Sequence, residues 1–135
     1  MLPLEGSRIL IVEGDYFIAA DLRQLVEQAG GTVTAQIERQ AQADICADLE
    51  LDAAVLDVQL ADGFVDPIAR QLGDRHIPFV VVTGYEHGTL PPGLQEAPYM
   101  QKPIVRDQLV TAIEGCMALS RQQRLRRNVD RRRRA

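Results

Sequence analysis

The chain lacks most of the features that mark a secreted, membrane-bound or small-molecule-converting protein. Its two cysteines, Cys46 and Cys116, show neither metal-ligand spacing nor a disulfide framework, and both read as reduced core or helix residues. No apolar run approaches the ~18 residues a membrane helix needs. The start, Met1-Leu-Pro-Leu-Glu-Gly-Ser7, has no basic segment followed by an apolar one. It is therefore not a signal peptide, and a cytosolic protein is expected. No glycine-rich phosphate loop follows the first strand, and no Ser–His or Cys–His constellation is present, which argues against an enzyme acting on small molecules. His76 and His87 have no partner at metal or catalytic spacing and read as surface residues. There is no internal repeat. Aromatic residues make up only 4% of the chain, and tryptophan is missing, so no aromatic platform for nucleic-acid recognition is in view.

What is present is an ordinary globular composition with an uneven charge. At 135 residues, 46% of them hydrophobic, one domain with a proper core is expected. The formal net charge of −4 conceals two opposed parts. Residues 121–135 hold eight arginines and one aspartate, 8 − 1 = +7, while residues 1–120 hold seven basic and eighteen acidic residues, 7 − 18 = −11. The expected organisation is a domain over 1–120 and a basic extension over 121–135, either a continuation of the last helix or a disordered tail. Such a tail attracts polyanions that the body repels.

The pattern alternates strands and helices. Arg8–Glu13 reads as a first strand, and Asp15 as the N-cap of a helix with an apolar stripe at Ile18, Leu22, Leu25, Val26 and Ala29. Gly30-Gly31 closes it. Thr32–Gln36 is a second strand, and Ala41, Ile45 and Leu49 mark one face of a second helix. Ala53–Leu56 is a short apolar run that stops at Asp57, as expected of a strand buried on both faces. Val65, Ile68, Ala69 and Leu72 give a third helix, and Pro78–Thr83 a β-branched fourth strand. The next segment, Glu86–Glu96, contains Pro91-Pro92-Gly93 and has room for a turn or two of helix at most. Tyr99–Lys102 is a fifth strand ended by Pro103, and Leu109, Val110, Ile113 and Met117 line a last helix running into the arginines. Five βα units, the fourth degraded, predict a five-stranded parallel sheet with helices on both faces.

In such a sheet the carboxyl ends of the strands share one edge, where open α/β folds place their ligands. Strand one ends in Glu13 and Asp15, strand three in Asp57, strand four in Thr83 and strand five in Lys102. Clustered carboxylates can hold Mg²⁺, a lysine supplies a point charge for a phosphoryl group, and a threonine hydroxyl can donate to one of its oxygens. Together these parts describe phosphoryl transfer to a carboxylate. Each also has a plainer reading, the acids as loop or N-cap residues and Thr83-Gly84 and Lys102-Pro103 as turns. Their order at consecutive strand ends favours the chemical one.

Ile9-Leu-Ile-Val-Glu13, Ala54-Val-Leu-Asp57, Val81-Val-Thr83 and Lys102-Pro103 resemble the signature of response regulator receiver domains over residues 7–118. The resemblance implies a flavodoxin-like (βα)5 fold and phosphorylation of Asp57 by a histidine kinase or phosphotransferase, with Mg²⁺ nearby. It implies Thr83 as the switch hydroxyl, Lys102 as the conserved-role lysine and Tyr99 as the switch aromatic. It also implies the carbonyl of Gln59 as a backbone metal ligand and a cis peptide before Pro103. Thr83-Gly84-Tyr85 and the proline-containing segment after it are similar to stand-alone alphaproteobacterial receivers. With no DNA-binding domain, such a protein signals by docking a downstream partner or by passing on phosphate.

One position departs from the pattern. The family carries two adjacent acids after strand one, and here the pair aligns with Glu13 and Gly14. Either Asp15 or the longer arm of Glu13 takes over as metal ligand, or metal binding weakens. That leaves two other readings open: a pseudo-receiver that binds protein without being phosphorylated, and a polyanion binder working through the arginine tail.

Overall fold

A computed structural model describes residues 1–84 and 87–134. The main sheet has five parallel strands: β1 (Arg8–Val12), β2 (Thr32–Ile37), β3 (Ala53–Leu56), β6 (Phe79–Thr83) and β7 (Tyr99–Gln101), in the order β2-β1-β3-β6-β7. Between β3 and β6 lies a two-stranded antiparallel hairpin, β4 (Gln59–Leu60) and β5 (Gly63–Phe64). The helices are α1 (Tyr16–Gln28), α2 (Asp66–Asp74) and α3 (Arg106–Arg134). This is the flavodoxin-like α/β fold, whose strand order reverses between β1 and β3.

The two-residue period of the strands builds two cores. Leu10, Val12, Ala54, Leu56 and Val81 point to one face, where α2 packs through Ile68, Ala69 and Leu72. Ile9, Ile11, Ala53, Val55, Val80 and Val82 point to the other, against Leu22 and Val26 of α1 and Leu109 and Ile113 of α3. Each fully buried leucine or isoleucine contributes about 1.5–3 kcal/mol relative to exposure. Central strands covered on both sides leave no polar face, which explains their near-continuous apolar runs.

α1 begins where expected: Asp15 Oδ1 accepts from the amides of Phe17 and Ile18 at 2.9 and 3.1 Å. It ends at Gly30, whose φ of +95° suits glycine, and where a Cβ would lie 2.8 Å from the Leu2 Cβ.

Two expectations need correction. The helix over Ala41, Ile45 and Leu49 does not form; only a 3-10 helix, Gln40–Cys46, is present, with Ile45 52% exposed. Distant groups satisfy that backbone instead. Asp62 accepts from the amides of Gln40 and Ala41, and the Arg75 guanidinium donates to the carbonyls of Cys46 and Leu49. The second concerns the segment after Asp57, where the sequence predicts a polar loop with a glycine and the structure has the β4–β5 hairpin. After Gly84, the described residues hold short 3-10 helices at His87–Thr89 and Pro92–Leu94, anchored by buried Leu90 and Leu94. Tyr85 of the Thr-Gly-Tyr motif, and Glu86, lie outside the described residues.

The last helix is longer than its packing requires. α3 continues through the arginines to Arg134, while its buried residues stop at Ser120. Cys46 and Cys116 are buried and free. Among the described residues no helix is long and apolar enough to cross a membrane.

Candidate phosphoacceptor site

The site is built by extending the sheet register one residue past each strand. The Glu13 amide donates to the Ile37 carbonyl at 2.9 Å, and the Asp57 amide to Val12 at 2.8 Å. The Lys102 amide donates to Thr83 at 2.8 Å. These bonds hold the first residues beyond β1, β3 and β7 at the same edge, so their side chains meet.

They meet closely. Lys102 Nζ lies 2.6 Å from Glu13 Oε1 and 3.2 Å from Asp57 Oδ2. Glu13 is 1% exposed and Asp57 is 9% exposed. Burial first, and then the adjoining Asp57 carboxyl, push the Glu13 carboxyl up to about 7, against a smaller opposing pull from Lys102. The Lys102 ammonium is held above its usual range: burial disfavours its charge, but the hydrogen bond to Glu13 and the Asp57 carboxylate outweigh that. Two touching carboxylates and one ammonium leave one negative charge uncompensated when both acids are ionised.

That donor set fits a hard divalent cation. Mg²⁺ is commonly held by one or two carboxylates, with water and phosphate oxygens completing its shell. Glu13 and Asp57 supply two, and the Gln59 carbonyl, in β4, follows Asp57 by two residues. Asp15 is not gathered with them, because its carboxylate caps α1. Only its amide approaches Glu13, at 3.5 Å from Oε2. Among the described residues no group of three or more His, Cys, Asp or Glu side chains stands where it could hold a metal. At Gly14 a Cβ would meet only ordinary contacts, the nearest at 3.6 Å from the Ala61 nitrogen and the Glu38 oxygen.

Thr83 closes the far side. It is 1% exposed at the end of β6, the strand next to β3. Tyr99 opens β7 opposite Val81, half-buried, and borders an open groove of about 520 Å³ shared with Met100 and Thr111. The Lys102–Pro103 peptide is cis.

One local feature escaped the sequence reading. Tyr16 and Phe17, 69% and 78% exposed, stack edge to face at the first turn of α1, directly after Asp15. Near them a groove of about 630 Å³ runs between Ile18, Leu25, Lys102 and Ile104. Two aromatic residues outside the apolar stripe of α1 were the available signal.

No family model and no curated protein sequence matches the chain. Solved structures do. SdrG from Sphingomonas melonis Fr1 is 32% identical with a TM-score of 0.73, over 87% of this chain and 99% of that one. The signal receiver domain of a modulated diguanylate cyclase from Desulfovibrio desulfuricans G20 is 28% identical, with a TM-score of 0.73, over 87% and 98%. The response regulator PhyR from Brucella abortus, 24% identical with a TM-score of 0.77, shares the fold over 91% of this chain and 53% of its own. The chain spans about half the length of the PhyR proteins it matches. With a relative this similar matched over nearly its whole length, and with Glu13, Asp57, Thr83 and Lys102 at one sheet edge, the chain belongs to the response regulator receiver domains.

Proposed function

We propose that this protein acts as a receiver that accepts a phosphoryl group on Asp57 from a histidine kinase or phosphotransferase in the cytoplasm. The observation that carries the reading is the 3.2 Å approach of Lys102 Nζ to an Asp57 that ends the central strand. In the step, an Asp57 carboxylate oxygen forms a bond to phosphorus as the bond to the donor's imidazole nitrogen breaks. The product is an acyl phosphate, and the departing imidazole takes up a proton. Such transfer needs little from the protein beyond position and charge. Lys102 lies beside the acceptor oxygen and offsets part of the added negative charge. Glu13 and Asp57, with the Gln59 carbonyl, would hold Mg²⁺, which supplies charge neutralisation at the phosphoryl oxygens. The Thr83 hydroxyl donates to a phosphoryl oxygen, and its shift makes room for the Tyr99 ring. The chain then signals through the face around Tyr99 and α3, to a downstream protein or by passing the phosphoryl group on. Tyr16 and Phe17 offer an apolar rim on which a donor protein can rest.

Acetyl phosphate with Mg²⁺ is expected to add one acid-labile phosphoryl group, detected as a single mass increment, and Asp57→Asn to add none. Equal labelling of Asp57→Asn and wild type would remove the assignment. A second reading, an unphosphorylated binding module, is favoured by Gly14 and by the closer approach of Lys102 to Glu13 than to Asp57. It is distinguished by a wild type that stays unlabelled and a Gly14→Asp variant that gains label.

A further inference from the structure

The far half of α3 carries charge that extends beyond its own body. Residues 121–134 rise about 21 Å along the helix axis. Only the first turns stay near the body: Arg124 helps lower the pKa of Asp52, and Arg127 Nη1 lies 3.4 Å from His76 Nδ1. From residue 128 to 134 every side chain is exposed. Among the described residues, no arginine of this stretch forms an ion pair with a body carboxylate.

Within the helix the charge is nearly unopposed. Asp130 is the sole acid of the stretch, with Arg126, Arg127, Arg133 and Arg134 three or four residues away. Like charges at that spacing disfavour a helix, so a stretch this basic gains from an anionic partner. The stretch is also amphipathic. Ala118, Leu125 and Val129 fall at i, i+7 and i+11, one stripe of the helix surface. Leu125 is 65% exposed and Val129 46%. At 100° per residue, Arg121 and Arg132 flank the stripe on one side and Arg126 and Arg133 on the other. The matching surface is apolar in the middle and acidic at its edges.

The body of the same chain presents such a surface. In and just after the 3-10 helix, Ile45 is 52% exposed, and Asp44 and Asp48, one and three residues away, are exposed. The charges are complementary overall, −11 in residues 1–120 against +7 in the rest. A straight helix leaving the body cannot fold back onto it, but it can reach a neighbour. We propose that residues 121–134 of one copy dock on the Asp44–Asp48 surface of a second copy. Leu125 and Val129 lie against Ile45, the arginines meet the two aspartates, and the contact is made twice across a two-fold axis. A nucleic acid is the poorer occupant, because a phosphate backbone leaves the apolar stripe unused and the acidic body repels it.

Sedimentation velocity on the full chain tests this, with Asp57→Asn as background so that phosphorylation plays no part. A dimer is expected at low ionic strength, giving way to monomer as salt shortens the screening length. Reversing the tail (Arg131→Glu, Arg132→Glu, Arg133→Glu and Arg134→Glu) or the body surface (Asp44→Arg and Asp48→Arg) is expected to weaken association by roughly tenfold or more. Leu125→Asp with Val129→Asp is expected to do the same. Mixing the tail-reversed and body-reversed chains restores both contacts and is expected to return a dimer containing one of each. These positions are exposed, so folding is retained, as far-UV circular dichroism verifies. A wild type that stays monomeric at low salt overturns the proposal, as does a mixture without rescue. Monomers that bind duplex DNA or anionic vesicles through the tail, without self-association, overturn it in favour of another occupant.

Discussion

Charge is concentrated at two places in this molecule, and the same kinds of side chain behave differently in each. At the carboxyl edge of the sheet, Glu13, Asp57 and Lys102 are largely buried and touch one another. Along the far half of α3, seven of the eight arginines are exposed to solvent. Buried charge acts at short range, resists screening and shifts pKa values. Exposed charge is weak pair by pair, dies away within a Debye length and acts mainly as a field. The first arrangement suits chemistry at one atom, and the second suits attraction to a surface.

The largest effect expected from this contrast is in the dependence of stability on pH. Glu13 is raised from its ordinary 4.5 to about 7 by burial and then by Asp57. A carboxyl raised on folding contributes stability that is fully present below its unfolded pKa and lost as pH rises through its folded one. Between pH 4.5 and 7 this group therefore removes about 3 kcal/mol. Glu13→Gln cannot ionise and is expected to flatten that part of the curve, gaining on wild type as pH rises. Denaturant unfolding of both proteins at pH 5 and 8 measures the difference. Parallel curves would mean that Glu13 is solvated in a way its burial does not suggest.

Next in size is the response to a metal. Gly14→Asp adds a carboxylate where a Cβ meets only ordinary contacts. Metal affinity follows the number of charged ligands, so Mg²⁺ binding is expected to tighten by roughly tenfold. The same substitution brings a third acid to a cluster with one lysine, so the metal-free variant is expected to be less stable than wild type. Calorimetric titration and melting with and without Mg²⁺ read the two effects. Unchanged affinity would show that Asp15 gives up its cap to serve as ligand.

The buried site was far more legible in the sequence than its surroundings. Strands covered on both faces announce themselves as apolar runs, and the residues that end them, Glu13, Asp57, Thr83 and Lys102, can be read off in order. The Ala41, Ile45 and Leu49 stripe was misleading because nothing local shows that Asp62 and Arg75 bind that backbone from more than twenty residues away. The β4–β5 hairpin has two residues per strand, too few for a period of two to register. Asp15 was readable both as a cap and as a ligand, and side-chain geometry alone separates the two. Nor does spacing say that Lys102 sits nearer to Glu13 than to Asp57.

Between the extremes lies the Arg8–Asp52 pair, which joins the start of β1 to the residue before β3. The Arg8 amide and its Nε both donate to Asp52 Oδ2, at 2.7 and 3.2 Å. Burial works to raise the Asp52 pKa, but these bonds and the guanidinium charge win and lower it. The sign is opposite to that of Glu13: the contribution is present above the unfolded pKa and fades as pH falls. Both side chains are about a third or more exposed, so screening keeps the effect small. Asp52→Asn is expected to cost less than about 1 kcal/mol at neutral pH. A loss several times larger would class the pair with the buried site rather than with the surface.

The smallest effect belongs to the arginines at the end of α3. Replacing Arg131, Arg132, Arg133 and Arg134 with alanine removes exposed side chains that form no ion pair among the described residues. Three local terms nearly cancel. Cations near a helix C-terminus are favoured by the dipole, repulsion among neighbouring arginines disfavours them, and alanine is at least as good a helix former. Global stability, measured by denaturant unfolding of the monomer, is therefore expected to stay within about 0.5 kcal/mol of wild type. Raising salt from low to moderate strength is expected to change that difference little, while strongly weakening self-association. The two observables separate the roles. A tail that serves only as a surface for a partner changes assembly and leaves folding alone. A loss above about 1 kcal/mol in the monomer would mean that these arginines bind their own body, and the charge at the two places would no longer be of two kinds.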